Sequence, residues 1–405
     1  MATGFAPLQK RSVQPPALDA SIITHFAKLP DPRVERTKDH LLIDIVAIAI
    51  FAVISGADGW VAIETYGQSK LEWLEQFLAL PNGIPSHDTN ALVFARLDPE
   101  VFGACFNSWI ESITKVLGAQ VIPIDGKTLK QSYDRNGKQK AIHLVSAWAS
   151  EHRLVLGQMK VDKKSNEITA IPALLDVLEI AGCIITIDAM GCQKEIAAKI
   201  IGKQADYVLA LKGNQAKLYE QVEAWFKQAR SHEFAQLDYS YYQTTESNHH
   251  RIEIRQYWSV PVAALGGVHN QAQWKGLQSV VMVVSERRLW NKTTYNVRFY
   301  LSSLVSNAAM LANAIRTHWG IENNVHWVLD VSFKEDASRI RKENAAENFS
   351  LLRRMALNLL NREQTVKGSV RMKRYRAAMD NNYLLKVLAA SNSEPTVEVE
   401  NAKEV

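Results

Sequence analysis

The chain has 405 residues, enough for two or three domains and a full core. With 47% hydrophobic and 22% charged residues it reads as an ordinary globular protein, and a net charge of +5 leans only mildly towards anionic partners. Cys105, Cys183 and Cys192, with no CxxC, argue against a disulfide scaffold or a structural zinc and fit a reducing cytoplasm. There is no signal-peptide pattern, and the most apolar run, Leu41 to Ala57, is interrupted by Asp44 and too short to span a bilayer. A cytoplasmic location is therefore expected.

Residues 1–19 are rich in Pro, Ala and polar groups and are expected to be disordered. Residues 20–118 carry helical spacing almost throughout and form an expected helical amino-terminal domain. Its longest apolar helix spans Asp39–Ser55, and Asp98–Leu117 closes it. Between them, the turn Pro81-Asn-Gly-Ile-Pro85 leads into Ser86-His87-Asp88-Thr89, which caps a helix reaching Ala95. Helix, turn and short capped helix is also the pattern of a helix-turn-helix, with His87, Thr89, Asn90 and Arg96 as reading residues. A plain helical packing domain explains the pattern equally well.

Residues 119–234 carry the chemistry. Val121-Ile-Pro-Ile-Asp125-Gly126-Lys127 is a short apolar strand ending in an acid, and β-rich runs follow at Ile142–Ser150 and Leu154–Val161. Glu167–Ala181 has helical spacing with Asn166 as its cap. Cys183-Ile-Ile-Thr-Ile-Asp188 is a second buried strand ending in an acid. A helix from about Gln193, a strand at Asp206–Leu211 and a helix from Gln215 complete the order β-β-β-α-β-α-β-α. Right-handed crossovers would set the two acid-tipped strands side by side, ~4.8 Å apart. Two carboxylates there can share a divalent cation, and Mg²⁺ prefers one or two protein carboxylates. Either acid alone would more simply cap the following turn.

Residues 235–305 change to period-two alternation, at Tyr239–Thr245, His250–Trp258, Leu277–Ser285 and Thr293–Leu301, and read as a β-rich insertion. Arg251, Arg255 and Lys292 beside Tyr257 and Trp290 would hold a phosphate and stack a base, or simply form a solvated strand face. In residues 306–390, a helix runs from Ala308 to Trp327, Asp330–Lys342 looks irregular, and Asn344–Arg362 is amphipathic with Arg353 and Arg354 on its exposed side. Arg371 and Arg374 follow among further cations, making this third basic. The polar, acidic tail 391–405 is expected to be disordered.

A two-metal site needs a third acid. His318, Glu322 and His326 fall at i, i+4 and i+8 along one helix face, with Glu322 between aromatic stretches where an unpaired charge is costly. A zinc site made by these three, or an exposed Glu322 paired to Arg316 or Arg341, are the alternatives.

At this point the residues resemble a known family. Ile124-Asp125-Gly126-Lys127, Thr186-Ile-Asp188-Ala-Met-Gly-Cys-Gln193, Ala210-Leu-Lys212-Gly-Asn-Gln215 and Arg316-Thr-His-Trp319-Gly-Ile-Glu322-Asn look like the blocks of a DDE insertion-sequence transposase. The H-repeat-associated family linked to Rhs elements matches best, and Leu29-Pro-Asp-Pro-Arg33, Leu329–Asp336 and Asn348–Arg354 extend the likeness from about residue 20 to 380. The resemblance implies an α/β, ribonuclease H-like mixed-sheet catalytic core. It also implies Asp125, Asp188 and Glu322 as catalytic acids and metal ligands, with two Mg²⁺ or Mn²⁺ per site. Double-stranded DNA is the implied partner, bound by a homodimer at the ends of a mobile element for strand cleavage and transfer. Lys127, Lys212, Arg251, Arg255, Arg316, His318, Arg353, Arg354, Arg371 and Arg374 are the expected DNA contacts. Related transposases carry a Tyr two turns before the glutamate, an Arg one turn before it and a Lys after it, where this chain has Ile315, His318 and Leu329. That departure leaves Asp330 as the other candidate for third acid. A DNA-binding remnant without catalysis, and a nuclease without strand transfer, are the competing functions.

Overall fold

Strand β1 (Val121–Thr128) is the axis on which the central sheet is built. The computed structural model describes residues 22–114, 118–133, 140–161, 166–248 and 251–390, so the expected disordered ends fall outside the described residues. β2 (His143–Ala149) and β3 (Leu154–Lys160) pair antiparallel beside β1. α6 (Glu167–Asp176) begins where the Asn166 side chain accepts the Ile168 amide, and crosses to β4 (Ile184–Ile187). β4 lies parallel to β1 with Ile124 opposite Ile187. α7 (Lys194–Gly202), β5 (Asp206–Leu211), parallel to β4, and α8 (Ala216–Ser231) complete the expected order. The parallel strands are short apolar runs, as burial on both sheet faces requires.

The β-rich stretch forms no layer of its own. β6 (Ser240–Asn248), β7 (Arg251–Pro261), β8 (Ser279–Leu289) and β9 (Lys292–Ser302) are an antiparallel meander, and β9 joins β5 antiparallel. One nine-stranded mixed sheet results, in the order β3-β2-β1-β4-β5-β9-β8-β7-β6. Half of the β8–β9 hairpin, including Val280–Val284 and Phe299–Leu301, is buried; its tip around Trp290 projects into solvent. The sequence shows the alternation but not the β5–β9 seam, because that pairing joins segments about 90 residues apart.

Helices α1 (Leu42–Ile54), α2 (Trp60–Ser69), α3 (Leu71–Leu74), α4 (His87–Arg96) and α5 (Pro99–Ile113) precede the sheet. α1 is buried on every side except at Ile43, so it is a core helix rather than a surface one. It packs on α11 (Ala345–Arg362), which is itself buried over most of its length. Asn348 Nδ2 donates to the Phe94 and Leu97 carbonyls, and the Asn358 amide exchanges hydrogen bonds with the backbone of Val155 on edge strand β3. α11 thereby ties the amino-terminal helices to the sheet. α9 (Ala308–His318) starts at an Asn307 cap and lies over β1 and β4. A π-helical turn, Glu322–His326, leads into α10 (Trp327–Phe333), so the stretch expected to be irregular from Asp330 is helical as far as Phe333. α12 (Val370–Met379) and α13 (Asn381–Ala389) follow. No helix among the described residues is long and apolar enough to cross a membrane.

Candidate active site

Asp125 and Asp188 follow directly from the Ile124–Ile187 rung of neighbouring parallel strands. Side chains alternate along a strand. Val121 faces the α9 core and Thr186 faces His318 on α9, so Asp125 and Asp188 share that face of the sheet. β4 ends before Asp188, whose Oδ1 accepts the Met190 amide at 3.0 Å and the Gly191 amide at 3.4 Å. The turn-binding reading of Asp188 therefore holds for one oxygen and leaves the other.

The same face receives the end of α9. His318 Nδ1 lies 3.0 Å from Thr186 Oγ1, fastening that end to β4. A Cβ on Gly320 would lie 2.9 Å from the Trp148 indole, so the bare glycine lets the chain come close to β2. The π-turn then closes with the Trp327 amide bonded to the Glu322 carbonyl, and places Glu322 beside His326. His326 Nδ1 lies 3.0 Å from Glu322 Oε2 and 3.6 Å from Asp125 Oδ2. One ligand atom from each of Asp125, Glu322 and His326 lies within 4.8 Å of the others, a donor set able to hold a divalent ion. His318 is not among them, so the alternative His318/Glu322/His326 zinc set is not assembled.

A fourth acid reaches the site from the other face of β1. Glu167, at the start of α6, has Oε1 2.6 Å from His143 Nε2, and His143 Nδ1 lies 2.8 Å from Thr128 Oγ1. A Cβ on Gly126 would sit 2.1 Å from Glu167 Oε1 and 2.5 Å from His143 Nε2, so this pair occupies the space that any other residue at 126 would fill. Sequence reading missed both residues. The one hint was a glycine directly after the first acid, whose missing side chain leaves room for a group from elsewhere.

The acids are electrostatically unmatched. Burial pushes the Asp125 carboxyl up to about 7, and the charges of Asp188, Glu167 and Glu322 add to the effect against the Gly126 amide. Burial and the Glu167 charge raise Asp188, opposed by its two amides and by Lys212. Burial lowers His326, keeping the imidazole neutral against the pull of Glu322. A cation entering from solution would relieve this repulsion, so the residues present fit a divalent metal. Asp330, the other candidate for third acid, gives both oxygens to Lys127 Nζ, at 2.7 and 2.8 Å.

The family model described as "Transposase DDE domain" matches residues 117–359, and one described as "DDE_Tnp_1-associated" matches residues 23–110. The chain belongs to the DDE transposase family. It is 43% identical over 376 residues to "Putative protein YbfL" and to "H repeat-associated putative transposase YhhI", both of Escherichia coli (strain K12), covering 91% of this chain and 98% of each relative. It is 42% identical over 373 residues to "Putative transposase YncI" of Escherichia coli O157:H7, covering 95% of that protein. The likeness to H repeat-associated transposases thus spans nearly the whole DDE family member.

Several residues of this transposase expected at DNA are placed elsewhere. Arg353 and Arg354 are 1% and 0% exposed, with Arg354 Nη1 3.0 Å from the buried Glu335 carboxylate, because α11 is covered on the side taken as exposed. Arg374 is 5% exposed and donates to the Val53, Ala57 and Ser332 carbonyls. Lys127 is buried between Asp330 and Asp336. None of these four cations reaches a phosphate on the surface. His318 is pushed down to about 4 by burial, so it is neutral and serves to anchor α9. Arg251 and Arg255 pair with Glu253, and Arg255 and Arg316 with Glu246. Tyr257 is buried and cannot stack a base, whereas Trp290 is 89% exposed. Lys212 and Arg371 remain in solvent. In the amino-terminal part, Ser86 caps α4 as expected, but Asn90 is fully buried and bonded to the Pro85 and Ser86 carbonyls. It cannot read a base, and His87 is held by Glu64 at 2.6 Å.

Proposed function

We propose that this DDE family member cleaves DNA at the ends of a mobile element and joins the freed 3′ ends to target DNA, through a metal-dependent centre formed by Asp125, Asp188 and Glu322. The observation supporting this reading is that Asp188, at the end of the adjacent parallel strand, and Glu322, from a distant helix turn, each lie within electrostatic reach of Asp125, which is held up to about 7. The order β3-β2-β1-β4-β5, antiparallel then parallel, supports a ribonuclease H-like core for these residues. The occupation of Asp330 by Lys127 favours Glu322 as third acid.

Asp125 and Asp188 would hold one Mg²⁺ or Mn²⁺, and Asp125 with Glu322 a second. Such ions activate water or a 3′-hydroxyl and steady the departing oxygen. Asp125 is the shared residue because it stands between β4 on one side and His326 on the other. The Met190 and Gly191 amides fix the Asp188 carboxylate, and Gly320 sets the height of the Glu322 turn over β2. Lys212, at the end of β5 and within electrostatic reach of Asp188, is placed to meet a phosphate beside the cut. No side chain here is required as a covalent nucleophile, and a homodimer on paired DNA ends belongs to the same reading.

The test is incubation of the purified chain with labelled duplex carrying the ends of its own element, target plasmid and Mg²⁺. Nicks bearing 3′-hydroxyls followed by joined products are expected, and chelation should remove both. Binding without nicks would favour a non-catalytic remnant, and nicks without joining a plain nuclease.

A further inference from the structure

The three carboxylates leave one group at the site unexplained, the buried imidazole of His326. We propose that His326 is itself a metal ligand, so that the position shared by Asp125 and Glu322 has mixed nitrogen and oxygen donors while the Asp125–Asp188 position has oxygen alone. This rests on the metal-dependent reading above and concerns which ion the second position selects.

The geometry fits a common ion. Bonds of about 2.1 Å to a divalent metal put neighbouring donors of an octahedron about 3 Å apart and opposite ones about 4 Å apart. His326 Nδ1 is 3.0 Å from Glu322 Oε2 and 3.6 Å from Asp125 Oδ2, and the three donors all fall within 4.8 Å. Asp188 does not belong to that set.

The backbone is shaped to produce this. Glu322 and His326 are four residues apart within a π-turn between α9 and α10, and such turns recur at functional sites. The ring does not behave like a packing residue. Its side chain is 4% exposed, its polar contacts are those two carboxylates, and its buried Nε2 has no hydrogen-bond partner. A single Nδ1 proton can serve only one of the two carboxylates, whereas an ion between them uses all three lone pairs. Imidazole nitrogen suits Mn²⁺ and later transition metals better than Mg²⁺, which favours oxygen. The two positions should therefore differ in selectivity, the Glu322 side preferring Mn²⁺.

Pulsed electron paramagnetic resonance of Mn²⁺ bound to the full chain tests this without an activity measurement. The wild-type spectrum should show coupling to one directly bonded ¹⁴N, converted to the ¹⁵N pattern when the protein is made with ¹⁵N-histidine. His326→Gln should lose the coupling and weaken one of two Mn²⁺ positions by at least about tenfold, the lower end of the loss seen even for outer-sphere partners of a metal ligand. The isotope experiment needs no substitution, so it decides the question even if His326→Gln does not fold. Bound Mn²⁺ without nitrogen coupling, or coupling that survives in His326→Gln, would overturn the proposal and leave the carboxylate centre standing. If wild type binds no Mn²⁺, the metal-dependent reading itself falls, and this inference with it.

Discussion

Asp125 and Lys127 leave β1 on the same face, two residues apart, yet their surroundings are opposite in kind. Around Lys127 the charges are matched: Asp330 and Asp336 hold its ammonium, Lys130 meets the far oxygen of Asp336, and the buried Glu335 next to them faces Arg353 and Arg354. Around Asp125 they are not, since Asp188, Glu167 and Glu322 all add negative charge. A buried, matched network fastens β1, α10 and α11 together and has no further use for an ion. An unmatched group of acids raises its own free energy and is retained where something positive arrives from outside. Sorting charged residues by whether their partners are already present separates the frame of this molecule from its site.

Substitution should divide the two regions cleanly. The largest effect is expected in catalysis: Asp125→Asn or Asp188→Asn should lower Mg²⁺-dependent DNA cleavage at least about a thousandfold, roughly 4 kcal/mol of barrier. DNA binding should be kept, as gel shift would show. Wild-type cleavage by either variant would place the chemistry elsewhere. Next in size, Glu335→Ala strands two buried guanidinium groups and should cost about 3–5 kcal/mol in denaturant unfolding. Asp125→Asn removes a repelled charge and should leave the metal-free protein as stable or more so. If both variants destabilise equally, the distinction between the two regions is lost.

Proton linkage should give the regions opposite signs. Asp125 is raised from its usual 3.8 to about 7 in the folded chain, so its contribution is fully present below pH 3.8 and is lost as pH rises through about 7. Burial alone would raise Glu335, but Arg354, Arg353 and Lys127 hold it below its usual 4.5, so its contribution is present above pH 4.5 and is lost as pH falls further. Between pH 4 and 7 metal-free wild type should therefore lose stability relative to Asp125→Asn, while His318, held down to about 4, acts in the opposite sense equally in both proteins. The smallest effect concerns DNA affinity: Lys212→Ala and Arg371→Ala should each reduce the log–log salt slope by about 1 if they meet phosphates. An unchanged slope would direct those cations to something other than DNA.

Much of the core was legible because local patterns decide it. The place of Asp188 just past β4, the Asn166 and Ser86 caps and the crossover order all follow from short-range spacing, whereas β1 does not end at Asp125 as expected but runs on to Thr128 because β2 continues to pair with it. What was not legible depends on distant partners. Arg353 and Arg354 occupy the polar side of a helical wheel, and only the fold shows Glu335 covering that side. Arg374 reads as one more basic residue until the Val53 and Ala57 carbonyls, more than 300 residues away, are seen to receive it. The seam by which the four-stranded meander joins β5 was hidden because nothing in its alternation reveals that partner. At the site itself, Glu167 was hidden among ordinary helix-start acids, and the π-turn moved His326 from a guessed zinc trio to the side of Asp125.

The most direct test of the central claim, that the unmatched acids are completed by a divalent cation, is thermal unfolding at pH 7 with and without Mn²⁺, for wild type and for Asp125→Asn. An ion bound to the folded state alone stabilises it by about 2.7 kcal/mol at a hundredfold excess over its dissociation constant. Wild type should rise in Tm with Mn²⁺ by the corresponding amount, and Asp125→Asn, though no less stable without metal, should lose most of that response. An equal rise in both proteins, or none in wild type, would contradict the account.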